Sequence, residues 1–147
     1  MKQKVYTVCL QLLQQKIDEL QSALNSATEA ANNETKSSAG DKHETARAMM
    51  QLEQEKITKQ LNEALDQKTE LEKIDLTINS SIIRKGSFIK TDKGFLFLSI
   101  GLGKLTIDTE IIFAVSPQSP LGSKLIGLQE KDTVTLNGAS YFIESIQ

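Results

Sequence analysis

The stretch from Leu10 to Ala31, LQLLQQKIDELQSALNSATEAA, places Leu10, Leu13, Ile17, Leu20, Leu24, Ala27 and Ala31 at steps of 3, 4, 3, 4, 3 and 4. That alternation is the narrow apolar seam of a coiled coil rather than the broad stripe of a globular helix face. The seam fades at Asn32-Asn33 and stops at Ser37-Ser38-Ala39-Gly40, small and turn-forming residues that end a helix and let the chain reverse. Beyond it Met50, Ile57, Ala64 and Leu71 recur every seven residues, with Leu61 and Ile74 at intermediate core positions and Gln54 and Lys68 weakening the seam. Two such helices joined by a short loop bury their stripes against each other as an antiparallel hairpin. With roughly 30 residues per arm at about 1.5 Å each, such a hairpin is about 45 Å long.

The composition changes outward from this hairpin. Residues 1 to 76 contain no proline and, before Gly40, no glycine. From Gly86 onward glycine, proline and β-branched residues recur every few positions, so the boundary is placed at Leu76 to Asn79. The two regions are a coiled-coil hairpin over 1–76, with its tip at about 37–45, and a small β-sheet domain over 77–147. The expected class is α+β. In the second region short apolar runs appear at Ile82-Ile83, Phe88-Ile89, Phe95 to Ile100, Lys104 to Ile107, Ile111 to Val115, Thr133 to Leu136 and Tyr141 to Ile146. About five strands are expected, with hairpin turns at Thr91-Asp92-Lys93-Gly94 and at Leu136-Asn137-Gly138-Ala139. Ser119 to Gly127 reads as a helix of one or two turns, with Pro120 at its first position and Gly127 at its end.

Charge and composition exclude several function classes. The formal charge of -2 divides into about -3 over residues 1–76 and +1 over the rest, so neither region grips nucleic acid by phosphate neutralisation. Contact with DNA or RNA is expected only through a partner. One cysteine, Cys9, and one histidine, His43, exclude an internal disulfide, a cysteine-based zinc site and a multi-histidine metal site. There is no apolar run long enough to span a membrane, and residues 1–13 lack a small-residue cleavage site, so a cytoplasmic protein is expected.

The chemistry-bearing residues gather at Gly40-Asp41-Lys42-His43-Glu44-Thr45-Ala46-Arg47. Asp41 as N-cap and Glu44 three positions on form a capping box, which satisfies free N–H groups at a helix start. The same two carboxylates are half of a Mg²⁺ site, because Mg²⁺ is commonly held by one or two carboxylates with phosphate oxygens completing the shell. Such a pair completes a two-metal phosphoryl-transfer site only if inserted into another enzyme's centre. Arg47 reads equally as an RNA-phosphate contact or as a partner of Glu44 along the helix, and His43 as an exposed loop residue. Cys9 beside the apolar seam reads as a small buried or half-buried residue of low reactivity.

Two motifs carry a resemblance. Gly40, Asp41, Glu44 and Ala46 match the pattern Gly-Asp-x-x-Glu-x-Ala, and Ser119, Pro120, Leu125, Ile126 and Gly127 match Ser-Pro-x-x-x-x-Leu-(Ile/Leu)-Gly. With these motifs in the matching regions, the whole chain resembles the Gre-type transcript cleavage factors, elongation factors that bind bacterial RNA polymerase. The resemblance implies an FKBP-like second domain that docks at the rim of the polymerase secondary channel, partly through Ser119 and Pro120. It implies a hairpin that enters the channel, where Asp41 and Glu44 support a Mg²⁺ shared with the polymerase and orient a water for hydrolysis of backtracked RNA. The factor is then no enzyme by itself. It stimulates the polymerase's own nuclease activity, meets the RNA 3′ end only within the complex, and works as a monomer.

The chain departs from the family pattern at Thr45 and Ala48, where family tips carry asparagine and tyrosine, and at Gln118, where the family residue is often acidic. The missing tip aromatic favours a second reading, a non-cleaving regulator that occupies the same channel. A third is a dimerisation or scaffold coiled coil, since the first seam is better than the second. Prolyl isomerase activity is not expected, because Phe88, Phe95, Phe97, Phe113, Tyr141 and Phe142 lie mostly at strand positions that should fill the core.

Overall fold

Two uninterrupted helices make up the first half of the chain. The computed structural model describes the backbone of residues 1–37 and 41–147 and the side chains of residues 1–33 and 44–147. Helix α1 runs Lys2–Ser37 and α2 runs Asp41–Glu72, and neither span contains a glycine or proline. The chain divides into two compact units, Gln11–Lys68 and Met1–Leu10 together with Thr69–Gln147. The change of sequence period near Leu76 marks where helix gives way to strand. The compact units divide within the two helices, so the first turns of α1 and the last turn of α2 belong with the sheet.

In the helical unit the burial follows the expected seams. Leu13, Ile17, Ile57, Leu61 and Ala64 are buried. Ile17, Leu61 and Ala64 form one cluster against which Leu20 and Leu24 pack. The two polar interruptions of the second seam are matched rather than wasted. Lys68 Nζ donates to Gln14 Oε1 at 2.8 Å, and Gln54 Nε2 donates to Thr28 Oγ1 at 3.3 Å. A half-buried polar group costs little once it has such a partner. In both bonds the partners' residue numbers add to 82, so the helices run antiparallel in one constant register.

The other unit holds six strands, one more than expected: β1 Phe88–Thr91, β2 Gly94–Leu98, β3 Gly103–Ile107, β4 Glu110–Val115, β5 Thr133–Leu136 and β6 Ala139–Ile146, with the short helix α3 at Pro120–Leu125 between β4 and β5. Ile82-Ile83, the first of the short apolar runs, makes only an isolated bridge from Ile82 to Gln129. The strand order is β3-β4-β2-β1-β6-β5, antiparallel except for the parallel pair β2 and β4. Both expected turns form. Thr91 pairs with Gly94, and Leu136 pairs with Ala139 across Asn137 and Gly138, whose φ values of 50° and 80° are those of a type I′ turn. A third tight turn joins β3 to β4 through Asp108 and Thr109, at φ 50° and 69°. It has no glycine, which is why it carries no signal in the sequence.

One face of the sheet packs against α3. Leu125 joins Ile83, Ile89, Leu96, Leu98, Val134 and Ile143 in a buried cluster. The base of α1 is tied into the same unit at two points: Lys2 Nζ donates to the Ile78 carbonyl at 3.2 Å, and Lys4 pairs with Asp108 in the β3-β4 turn. Among the described residues no helix is long and apolar enough to cross a membrane.

Candidate functional site

The backbone of α2 begins at Asp41, the acid expected just ahead of it as N-cap. Helix ends shift by a residue between definitions, so the expected start and the observed one agree at that precision. The side chains of Asp41, Lys42 and His43, and residues 38–40, lie outside the described residues. Glu44, Thr45, Arg47 and Ala48 are exposed. Glu44 therefore presents its carboxylate to solvent in the first turn of α2, three positions after Asp41. One turn further along, Met49 and Leu52 are 66% and 65% exposed, an apolar pair that the heptad reading left unassigned, since it placed the neighbouring Met50 on the seam. Among the described residues no three or more metal-ligating side chains converge.

Ser119 and Pro120 sit together at the start of α3 but in different roles. Ser119 is the N-cap: its Oγ accepts from the Gly122 N–H at 3.0 Å and donates to the Ser116 carbonyl at 2.6 Å. Pro120 takes the first helical position, where its missing N–H costs nothing, and its ring is exposed. The helix is held so closely that a Cβ on Gly122 would stand 1.9 Å from the Ser116 oxygen. Gly127, with φ 88°, follows the end of α3, and its N–H bonds to the Ile83 carbonyl at 2.9 Å. The two ends of the Ser-Pro motif therefore anchor α3 against the sheet.

The aromatic residues do not all fill the core as expected. Phe88 and Phe97 are buried, Phe95 and Tyr141 are half-buried, and Phe113 and Phe142 are 39% and 41% exposed. The reason lies in the cover. The cluster around Leu125 lies on one region of the sheet, while Phe113 and Ile111 on β4 stay open to solvent. Phe113, Tyr141, Leu96, Val115, Leu121 and Lys93 line a pocket of about 170 Å³, with the Lys93 ammonium 5.1 Å from the centre of the Tyr141 ring.

Among the described residues, four groups are held away from their ordinary ionisation. Burial pushes the Cys9 thiol up to about 11, which removes its thiolate at neutral pH. Burial and the nearby Arg84 charge push the Lys2 ammonium down, against a smaller opposing effect of Asp75. Hydrogen bonds from Lys85 and Lys73 hold Glu70 below the usual glutamate value, and those from Thr77 do the same for Asp75. Lys2, Lys73, Asp75, Arg84 and Lys85 were not singled out in the sequence. They stand up to 83 positions apart, between Lys2 and Lys85, so no local spacing announces them. No family model, no curated protein and no solved structure matches the chain.

Proposed function

We propose that this chain is a Gre-type accessory factor of bacterial RNA polymerase, which delivers the Asp41 and Glu44 carboxylates to a Mg²⁺ at the polymerase centre and so stimulates hydrolysis of backtracked RNA. The observation that carries this reading is Glu44, exposed in the first turn of α2 and three positions after Asp41, in a helix pair whose seam is filled from within the chain. An exposed carboxylate there can complete a metal shell held by another enzyme. The supporting partner is a sheet unit of FKBP-like type, with one short helix packed on a largely antiparallel sheet. On this reading Pro120, exposed at the start of α3, touches the polymerase, and Ser119 holds α3 in place for it. The chain is then a cytoplasmic monomer, inert alone.

The test uses stalled, backtracked complexes of purified polymerase. Asp41→Asn and Glu44→Gln should each lose stimulated RNA cleavage while binding to the polymerase persists. Full activity in both variants refutes the proposed role. Thr45 and Ala48, in place of the family's asparagine and tyrosine, favour the second reading, a channel occupant that does not promote cleavage. Footprinting that shows occupancy with RNA length unchanged selects it. The dimerisation reading loses support from the seam, since Ile17, Leu20 and Leu24 are already packed with Leu61 and Ala64 of the same chain. Prolyl isomerase activity is not expected, because a pocket of about 170 Å³ is smaller than the roughly 300 Å³ from which small-molecule sites begin. A coupled peptide assay above background would overturn that.

A further inference from the structure

Where α2 ends and the chain approaches β1, a cleft of about 180 Å³ is lined by Lys73, Ile74, Asp75, Ile78, Arg84 and Lys85. Two of its cations sit on a built turn. The Ser87 N–H closes Arg84-Lys85-Gly86-Ser87 onto the Arg84 carbonyl at 2.9 Å, and Gly86 takes φ 95° at the third position, where a type II turn calls for glycine. The Ser87 hydroxyl accepts from the Arg84 N–H at 2.9 Å. A Cβ on Gly86 would stand 2.8 Å from Ile74 Cγ2, so glycine is what lets this turn close against the Ile74 wall. On the far side Asp75 Oδ1 accepts from the Thr77 N–H at 2.9 Å and from its hydroxyl at 2.6 Å.

The charges around the cleft do not balance. Lys73, at 3.1 Å, and Lys85 share one carboxylate, Glu70. Asp75 is engaged by Thr77, and Lys2 stands near both Asp75 and Arg84 with its ammonium on the Ile78 carbonyl. Three cations, Lys73, Arg84 and Lys85, line the cleft against one carboxylate, Asp75, and Glu70 beside it is shared by two of the three. The Arg84 guanidinium donates to no group among the described residues, although five N–H donors in a planar fork suit a bidentate oxyanion. Burial, and after it the Arg84 charge, push the nearby Lys2 ammonium down.

We propose that this cleft binds a small, free phosphoryl anion, gripped by Arg84 and flanked by Lys73 and Lys85. A phosphate dianion answers the excess of cations over carboxylates in the lining, and a cleft of about 180 Å³ admits a phosphoryl group. The site is independent of the polymerase reading, since it uses neither Asp41 nor Glu44.

The probe is sodium phosphate, titrated against sodium chloride at matched ionic strength. Amide signals of Arg84 to Ser87 should shift saturably with phosphate alone, and the unfolding temperature should rise by about 2–4 °C at a phosphate concentration well above the dissociation constant. Arg84→Gln, which removes an exposed side chain that donates no hydrogen bond among the described residues, should keep the fold and lose both effects, while Arg84→Lys should keep part of them. Equal shifts with chloride, or an Arg84→Gln protein that titrates like the parent, overturn the proposal. So does a single-stranded RNA oligonucleotide that displaces phosphate from these amides at lower concentration, since the site then belongs to a nucleic-acid backbone.

Discussion

Replacing Gly122 by alanine sets two physical effects against each other, and the structure decides between them. Gly122 is helical, and in an exposed helix interior Gly→Ala gains about 1 kcal/mol from propensity. Here the new Cβ meets the Ser116 oxygen at 1.9 Å, the Ser116 carbonyl carbon at 2.8 Å and Ser119 Oγ at 2.9 Å. Two of these atoms are backbone, so no side-chain rotation relieves the clash, and α3 must withdraw by about 1 Å or more. Overpacking of this kind costs about 1–3 kcal/mol. The withdrawal also pulls on the two bonds through Ser119 Oγ, and loss of such a cap costs about 1 kcal/mol. The sum, less the propensity gain, is a loss of about 1–3 kcal/mol. Urea unfolding followed through the amide signals of Ile89 and Ile143, in the cluster under α3, measures it. An unchanged or raised midpoint refutes the claim that contact with Ser116, rather than helix propensity, requires glycine here.

Other outcomes follow from single features. Thr109 holds φ 69°, a left-handed conformation that costs a β-branched residue about 1–2 kcal/mol, so Thr109→Gly should raise the urea midpoint despite the extra chain entropy of glycine. A lowered midpoint counts against strain in that turn. The Cys9 thiol, buried and pushed up to about 11, should stay unreactive toward a chromogenic disulfide reagent at pH 8 in the native protein and react promptly in urea; rapid native labelling contradicts its burial. Glu70 is held below its ordinary value of 4.5 by Lys85 and Lys73, so its contribution is fully present above that value and is lost as pH falls through the lower, folded one. Glu70→Gln should therefore lower the melting temperature at pH 7 and flatten its fall below pH 4.5, and a variant with the parent's pH profile removes the ion pairs as a cause.

Much of the fold was legible because it rests on local periodicity. The 3-4 spacing from Leu10 to Ala31 gave the first helix and its buried face, and polar Gln54 and Lys68 marked the second seam as the weaker one, though not the Thr28 and Gln14 partners that answer them. Asn137-Gly138 and Ser119-Pro120 mark a turn and a helix start whose chemistry is complete within four residues. The turn at Asp108-Thr109 was not legible, because its left-handed residues are held there by pairing of β3 with β4 rather than by their own preference. The exposure of Phe113 and Phe142 was equally hidden, since an aromatic residue on a strand is buried only where another layer covers that part of the sheet. At the candidate site the spacing of Asp41 and Glu44 could be read directly. The meeting of Lys2, Lys73, Asp75, Arg84 and Lys85 could not.

Taken alone, the sequence determined which segments become helix, strand and turn, because periodicity, capping and positive-φ preference act between residues a few positions apart. Only the tertiary structure decided which residues from distant segments share a cleft, which aromatic rings stay in solvent, and how closely α3 approaches Ser116. Those outcomes depend on how layers pack and where one element's backbone comes to rest against another's, and no window of neighbouring residues contains that information.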